Sequence, residues 1–496
     1  MRIRYIRSIL SVAAVAAMLA VSCSKKDGVS PEPAPGPTPG PTPAPVFDIN
    51  TIRDDYADIS SVDKFLFWGS HNVHDPSIIK HGDYYYSYST DVAYGSAIRA
   101  GLQVRKSKDL VQWQTVGWVF NGLPAKGAAF IRQNGGTPFD ALWAPYVLKV
   151  GNEFRLYYSL SSAVPRLSVI GLATATSPEG PWTEKDLVVV SRNDNTVQTN
   201  AIDPAVVVTP AGEQWFYYGS AWDGIYTLQL DPATGLAMSS GYKGKRIANR
   251  GFTGGRYNGN IEGPEVIYNA QQKKYYLFIS YDWLETKYNV RVAKGDKPDG
   301  PFYDFNGKDV NLSEDHGPMI LAPYQFSNHS GYQGVAHCAV FEDGAGQYFM
   351  AHQARPGNGK YFMNLHVRKI FWTAGGWPVV SPERYAWEDN SLVASSDIAG
   401  SYEQIILGYR IVPGYAEEQL SPDFQTSINL VIGADGSLNG NAGTWTYTAP
   451  WLELKWGNGF TDKVYVQKGR DWENKKNTII FTGLNNEGVA IWGKKK

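Results

Sequence analysis

Cysteine is nearly absent: the 496-residue chain carries two, Cys23 and Cys338. That excludes a disulfide framework, so an exported form of this chain must be held together by its core. No cluster of His, Cys and Asp has the spacing of a zinc site. An excess of one charge is also missing. A formal net charge of −1 offers no basic field for a nucleic acid. Long amphipathic helical patterns are scarce from Phe47 to Tyr385, which argues against helical bundles. The N-terminal apolar stretch, Ile9 to Val21, is short for a membrane span.

What is present begins with a targeting segment. Arg2, Arg4 and Arg7 precede the apolar stretch, which ends in "LAVSCSKKDG". Small residues directly before a cysteine resemble a bacterial lipobox, which implies cleavage before Cys23 and lipid on its thiol. An ordinary secretory signal containing a cysteine is the other reading. The run "PEPAPGPTPGPTPAP" cannot form a helix or a ladder and reads as an extended tether. The expected organisation is a signal peptide at 1–22, a lipidated tether at 23–46, a first domain at 47–385 and a second at 386–496. The protein is expected as an outer membrane lipoprotein on the surface or periplasmic side, and as a monomer.

From Phe47 the chain turns globular and rich in aromatics, with 16 Trp, 31 Tyr and 20 Phe, beside 51 Gly. Short β-branched and aromatic runs alternate with Gly, Asn and Asp turns, the pattern of an all-β fold. Five segments share one plan: "HDPSIIKHGDYYYSYS", "WAPYVLKVGNEFRLYYSLS", "IDPAVVVTPAGEQWFYYGS", "EGPEVIYNAQQKKYYLFIS" and "HCAVFEDGAGQYFMAHQA". Each has a polar or small mouth, usually a proline, an apolar strand, a polar turn and an aromatic strand. Pro76, Pro145, Pro204, Pro264 and Ala339 mark the phase, recurring about every 60–75 residues. A five-bladed β-propeller is the economical reading, with each innermost strand starting at one end of a central channel. His74-Asp75, Trp143-Ala144, Ile202-Asp203, Glu262-Gly263 and His337-Cys338 should then converge on one axis. A single Asp-Pro is commonly a turn. Three acidic mouths in register point instead to chemistry, because like charges held together raise one another's pKa.

"HDPSI", "NAIDPAVV" and "NIEGPEVI", in that order, resemble family 43 of the glycoside hydrolases. "LWAPYV", "YYGSAWDGIYTLQL", "GYQGVAHCAVFEDGAGQYFMAHQARP" and "LHVRKIFWTAGGWPVVSPERYA" are closest to its endo-1,5-α-L-arabinanases, which cut the arabinan of plant pectin. "GTWTYTAPWLELKW" and "IIFTGLNNEGVAIWGKKK" resemble the small β-barrel of the longer members. The resemblance implies that Asp75 is the general base and Glu262 the general acid. Asp203 would orient Glu262 and, permanently ionised, hold its proton on. Such a pair suits inversion, with base and acid on opposite faces of the sugar.

The resemblance also implies that Asn200 and Ser220 line the central subsite. His74 is expected to hydrogen-bond the sugar, or else to cap a turn. Trp143 is expected to stack on a furanose, or else to belong to the core. Glu265 alternates toward the packing face, and His352 should pack or bond within the fifth repeat. The resemblance places His337 on the axis, holding calcium or another cation with water; a metal-free link between blades is the alternative. Cys338 beside it departs from the small or polar residue expected. No organic cofactor is expected. The region after Ala386 carries no carboxylate–His constellation and reads as a brace. The rivals are an exo-acting arabinofuranosidase or β-xylosidase with the same machinery, and a glycan-binding lipoprotein without catalysis.

Overall fold

The computed structural model describes residues 47–194, 199–250, 252–253, 256–257, 260–312, 317–408 and 419–496. The signal segment, Cys23 and the proline-rich tether lie outside the described residues.

The fold is all-β, with sheets in a propeller-like arrangement followed by a closed barrel. Sheet one runs Ser77–His81, Tyr84–Ser89, Gln103–Ser107 and Gln114–Trp118. Sheet two runs Trp143–Val150, Glu153–Ser161, Ser168–Ala175 and Thr183–Ser191. Sheet three runs Ala205–Val208, Gln214–Tyr218, Ile225–Leu230 and Lys245–Ala248. Sheet four runs Ile261–Asn269, Lys274–Tyr281, Asn289–Gly295 and Met319–Leu321. Each is an antiparallel meander in chain order. Short polar turns such as His81-Gly82-Asp83-Tyr84 reverse the chain, and Gly82 supplies the positive φ of +58° that one such turn needs. The second strands are almost wholly buried because their aromatics pack against the neighbouring sheets on both faces.

Five blades were expected; four stand as self-contained four-stranded sheets. The fifth repeat is part of a seven-stranded sheet. Its strands Ala339–Glu342, Tyr348–Pro356, Asn364–Trp372 and Pro378–Val380 pair in the same meander. Tyr348–Pro356 then pairs onward with Tyr332–Gln333, and the ladder continues through Tyr324–Gln325 to Gln425–Thr426. The physical cause is length: Tyr348–Pro356 runs past its partner Ala339–Glu342, and the extra backbone groups need a ladder of their own.

The barrel comprises Gly400–Leu407, Ile428–Ile432, Ser437–Leu438, Gly443–Thr448, Trp451–Trp456, Thr461–Asp471, Lys476–Asn485 and Ala490–Lys495, and closes where the first pairs with the last. Its interior is filled by Tyr402, Leu430, Leu452, Leu454, Val464 and Phe481, as suits a closed eight-stranded barrel. Ile405, Leu407, Leu484 and Trp492 share one apolar cluster with Tyr324, Met350 and Val379, so barrel and propeller-like sheets have a common core.

Candidate active site

The mouths are built by backbone geometry. Asp75, Ala144, Asp203, Gly263 and His337 all adopt left-handed backbone, with φ of 48°, 33°, 60°, 58° and 51°. A following proline disfavours right-handed helix at the residue before it, and Asp tolerates the left-handed region better than most side chains. The fifth mouth shows that Cys338, not Ala339, stands where the other repeats have proline. In sheets two and four the left-handed residue lies in a bulge that directly follows the pairs Trp143–Ser159 and Glu262–Ser280.

Each mouth N–H donates to the preceding repeat. Ala144 N donates to Thr90 Oγ1 at 2.7 Å, Asp203 N to Ser159 Oγ at 3.1 Å and His337 N to Ser280 Oγ at 2.9 Å. Asp75 N donates to Gln353 Oε1 at 3.1 Å and returns the series to its start. The mouths therefore surround one axis. One step differs. Strand pairing puts Gly219 where the other repeats have Thr90, Ser159, Ser280 and Gln353. With no side chain there, Gly263 N donates instead to Asp203 Oδ2 at 3.1 Å. A Cβ at Gly219 would lie 2.6 Å from Gly224 O, so the sequence cannot restore the missing acceptor cheaply.

Three carboxylates meet in this ring. Asp75 is buried; its Oδ2 lies 2.7 Å from His74 Nδ1 and accepts from Thr90 Oγ1 at 2.6 Å, and its Oδ1 lies 3.0 Å from His337 Nδ1. Burial alone would raise its pKa, but the charges and hydrogen bonds of His337 and His74 hold it well below the usual carboxylate range. His337 answers in kind. Burial would lower it, yet Asp75 first and Asp203 next lift it to about 10. Asp203 goes the other way. Burial raises it well above its ordinary value, with Glu262 and Asp75 adding repulsion against the pull of His337. The permanent ionisation expected of Asp203 is opposed in this ring by burial and by the two neighbouring acids, and favoured by His337. Glu262 is half-buried and accepts from Ser220 Oγ at 2.6 Å. The Tyr288 phenol, buried beside it, is pushed up by burial and then by Glu262.

The family model described as "Glycosyl hydrolases family 43" matches residues 69–378. The chain belongs to this family. A second model, "C-terminal lipocalin-like domain", matches residues 382–493. The chain is 29% identical over 468 residues to the "Extracellular endo-alpha-(1->5)-L-arabinanase" of Thermotoga petrophila, covering 85% of this chain and 93% of that protein. It is 29% identical to the "Extracellular endo-alpha-(1->5)-L-arabinanase 2" of Bacillus subtilis, covering 86% and 93%. A crystal structure of the endo-1,5-α-L-arabinanase from Thermotoga petrophila RKU-1 superposes with a TM-score of 0.75 at 28% identity, covering 86% of this chain and 99% of that one.

In this family-43 chain the structure brings Asp75, Asp203, Glu262, His74, Ser220 and His337 to the same ring. Asn200 joins it through its backbone N–H to Ser220 O, 3.2 Å, and its buried Oδ1 has no hydrogen-bond partner. Trp143 is half-buried and stacks on Phe139, centroids 5.3 Å apart. Glu265 is buried on the packing face, and burial pushes its carboxyl well up. His352 bonds within the fifth repeat, to Gln353 O at 2.7 Å and from Arg368 Nε at 3.0 Å. The Cys338 thiol is buried in the apolar cluster with Phe278 and Met350 and is raised by burial, then by Glu265. Sequence reasoning missed Thr90, Ser159, Ser280, Gln353 and Tyr288. For the first three a signal exists: a hydroxyl that directly follows the aromatic and apolar run or falls within three residues of its strand's end, in "YYYSYST", "LYYSLS" and "YLFIS".

Proposed function

We propose that this chain is an inverting endo-1,5-α-L-arabinanase, with the seven-stranded sheet serving as a fifth blade around the axis. The observation that carries the reading is the opposite treatment of the ring's acids. Asp75 is held ionised between two imidazoles, and Glu262, from a sheet not adjacent in the repeat order, is tethered by Ser220. An inverting glycosidase needs this pair, a base and an acid separated by roughly 6.5–9.5 Å with room for a water. Asp75 takes a proton from the attacking water, and Glu262 gives one to the glycosidic oxygen. Asp203 orients the acid: through Gly263 N–H it is fixed to the residue after Glu262. His74, Trp143, Asn200 and Ser220 hold the sugar. Two long relatives that match propeller and barrel together are named endo-acting.

A cation at His337 belongs to the same proposal. Nδ1 is taken by Asp75, so Nε2 is the atom left for it, and water oxygens must supply the rest of a calcium shell. Bound there, it would add positive charge beneath the sugar. Since Asp75 and Asp203 raise His337 to about 10, a bound cation would have to displace its proton. Cys23 is proposed to carry lipid that tethers the exported enzyme to a membrane.

The test is a time course on linear arabinan. Viscosity should fall before much reducing sugar appears, and short oligosaccharides should accumulate. Early release of arabinose alone would overturn the endo reading.

A further inference from the structure

The sequence phrase "GSAWDGIY" continues past Ser220, and its tryptophan has no part in the ring described above. Ala221 and Trp222 both have left-handed backbone, φ 56° and 54°. For a bulky side chain that conformation is a true outlier, and such outliers persist where the surroundings over-determine them. The surroundings here do so. Ala221 N donates to Ile261 O at 2.8 Å, one residue before Glu262, and Gly224 N donates to Ala221 O at 3.1 Å. Asp223 accepts from Tyr226 Oη at 2.7 Å and pairs with Arg246.

The indole itself is half-buried, and one side of it is occupied. The Arg166 guanidinium lies 5.6 Å from the ring centroid, is itself 8% exposed, and donates to Asn193 Oδ1 at 2.9 Å. Arg166 also has left-handed backbone, φ 60°. It sits on the loop between the second and third strands of sheet two; Trp222 sits on the corresponding loop of sheet three. Both loops leave the sheets at the end where the mouths gather. Two residues in disfavoured backbone, from neighbouring sheets, thus fix one aromatic plane two positions along from the serine that holds Glu262. A core tryptophan would need no such support, whereas a platform for a flat sugar face does.

We infer that Trp222 is a sugar-stacking platform on the leaving-group side of the bond being cut, a specificity-determining residue for internal cleavage. The inference rests on the proposed function, because Glu262 defines the leaving-group side only as the acid.

The experiment uses the purified enzyme and α-1,5-arabinohexaose labelled at its reducing end, with the frequency of cleavage read at each bond. Trp222→Ala should lower kcat/KM on the hexaose about tenfold, mostly through KM, and move the preferred bond. On an aryl arabinofuranoside, which has no sugar beyond the cleaved bond, it should lower kcat/KM less than about threefold. Trp222→Phe should restore the parent bond preference. An unmoved bond preference in Trp222→Ala, or equal losses on both substrates in both variants, would overturn the platform. A parent enzyme that removes only terminal units would instead contradict the endo reading, and this shows in the parent reaction alone.

Discussion

Asp203 Oδ2 accepts the backbone N–H of Gly263 at 3.1 Å, so the carboxyl of one mouth replaces an acceptor that the preceding strand lacks at Gly219. The bond ties Asp203 to the residue after Glu262 and buries it against two other acids.

That placement is expected to trade stability for activity. An acid whose folded pKa lies above its unfolded value of about 3.9 resists ionisation in the fold, so it opposes folding increasingly as pH rises toward the folded pKa. Asp203→Asn keeps an acceptor for Gly263 and removes the charge. Its melting temperature should exceed the parent's at pH 7, by about 2–4 °C, and the gap should close toward pH 4. Activity on arabinan should fall by about 10²-fold or more. A variant less stable than the parent at pH 7 would contradict this electrostatic account.

The Asp75–His337 pair should show at alkaline pH. His337 is raised to about 10, so its stabilising share is complete below its unfolded pKa of about 6.5 and is lost as pH climbs to 10. Asp75 is depressed, so its share persists above about 3.9 and is lost as pH falls below that. Melting scans of His337→Gln should therefore lie below the parent at pH 6 and approach it near pH 10. Parallel curves across that window would argue that the pair is not ionised as described.

Lys494 is the buried cation of the barrel's junction. Its Nζ lies 2.9 Å from Glu383, 3.0 Å from Asp471 and 2.5 Å from Glu473, each side chain 1–2% exposed. Lys494→Met removes the cation that these acids share, and breaking such a network costs about 3–5 kcal/mol. Thermal scans should show a clearly lowered midpoint; a drop within scan error would mean that the acids are neutral in the parent.

Membrane attachment should depend on one thiol. Cys23→Ala, fractionated beside the parent, should move from the membrane pellet to the soluble export fraction. Complete retention in the pellet would remove the lipid-anchor proposal.

Much of the site was legible because a propeller repeats its geometry. Once Pro76, Pro145, Pro204 and Pro264 set the phase, Asp75, Asp203 and Glu262 had to face one axis. Where the repeat broke, the sequence misled. His337-Cys338 has no proline, so Ala339 was put in phase, and only the left-handed φ of His337 corrects it. The two-residue strands Tyr324–Gln325, Tyr332–Gln333 and Gln425–Thr426 are too short for periodicity, so the enlargement of the fifth sheet left no pattern to read. The upward push on the Asp203 carboxyl was beyond reach for another reason: it follows from burial and from two neighbours distant in sequence. Trp222 carried no signal of its own because its support, Arg166, lies in another repeat.

The central claim is that Asp75 and Glu262 act as separate base and acid in one displacement. Proton NMR of the first product, read before mutarotation, tests it most directly. The account predicts the β-anomer first from an α-linked arabinan; an α-anomer first, or a trapped covalent glycosyl-enzyme, would contradict it.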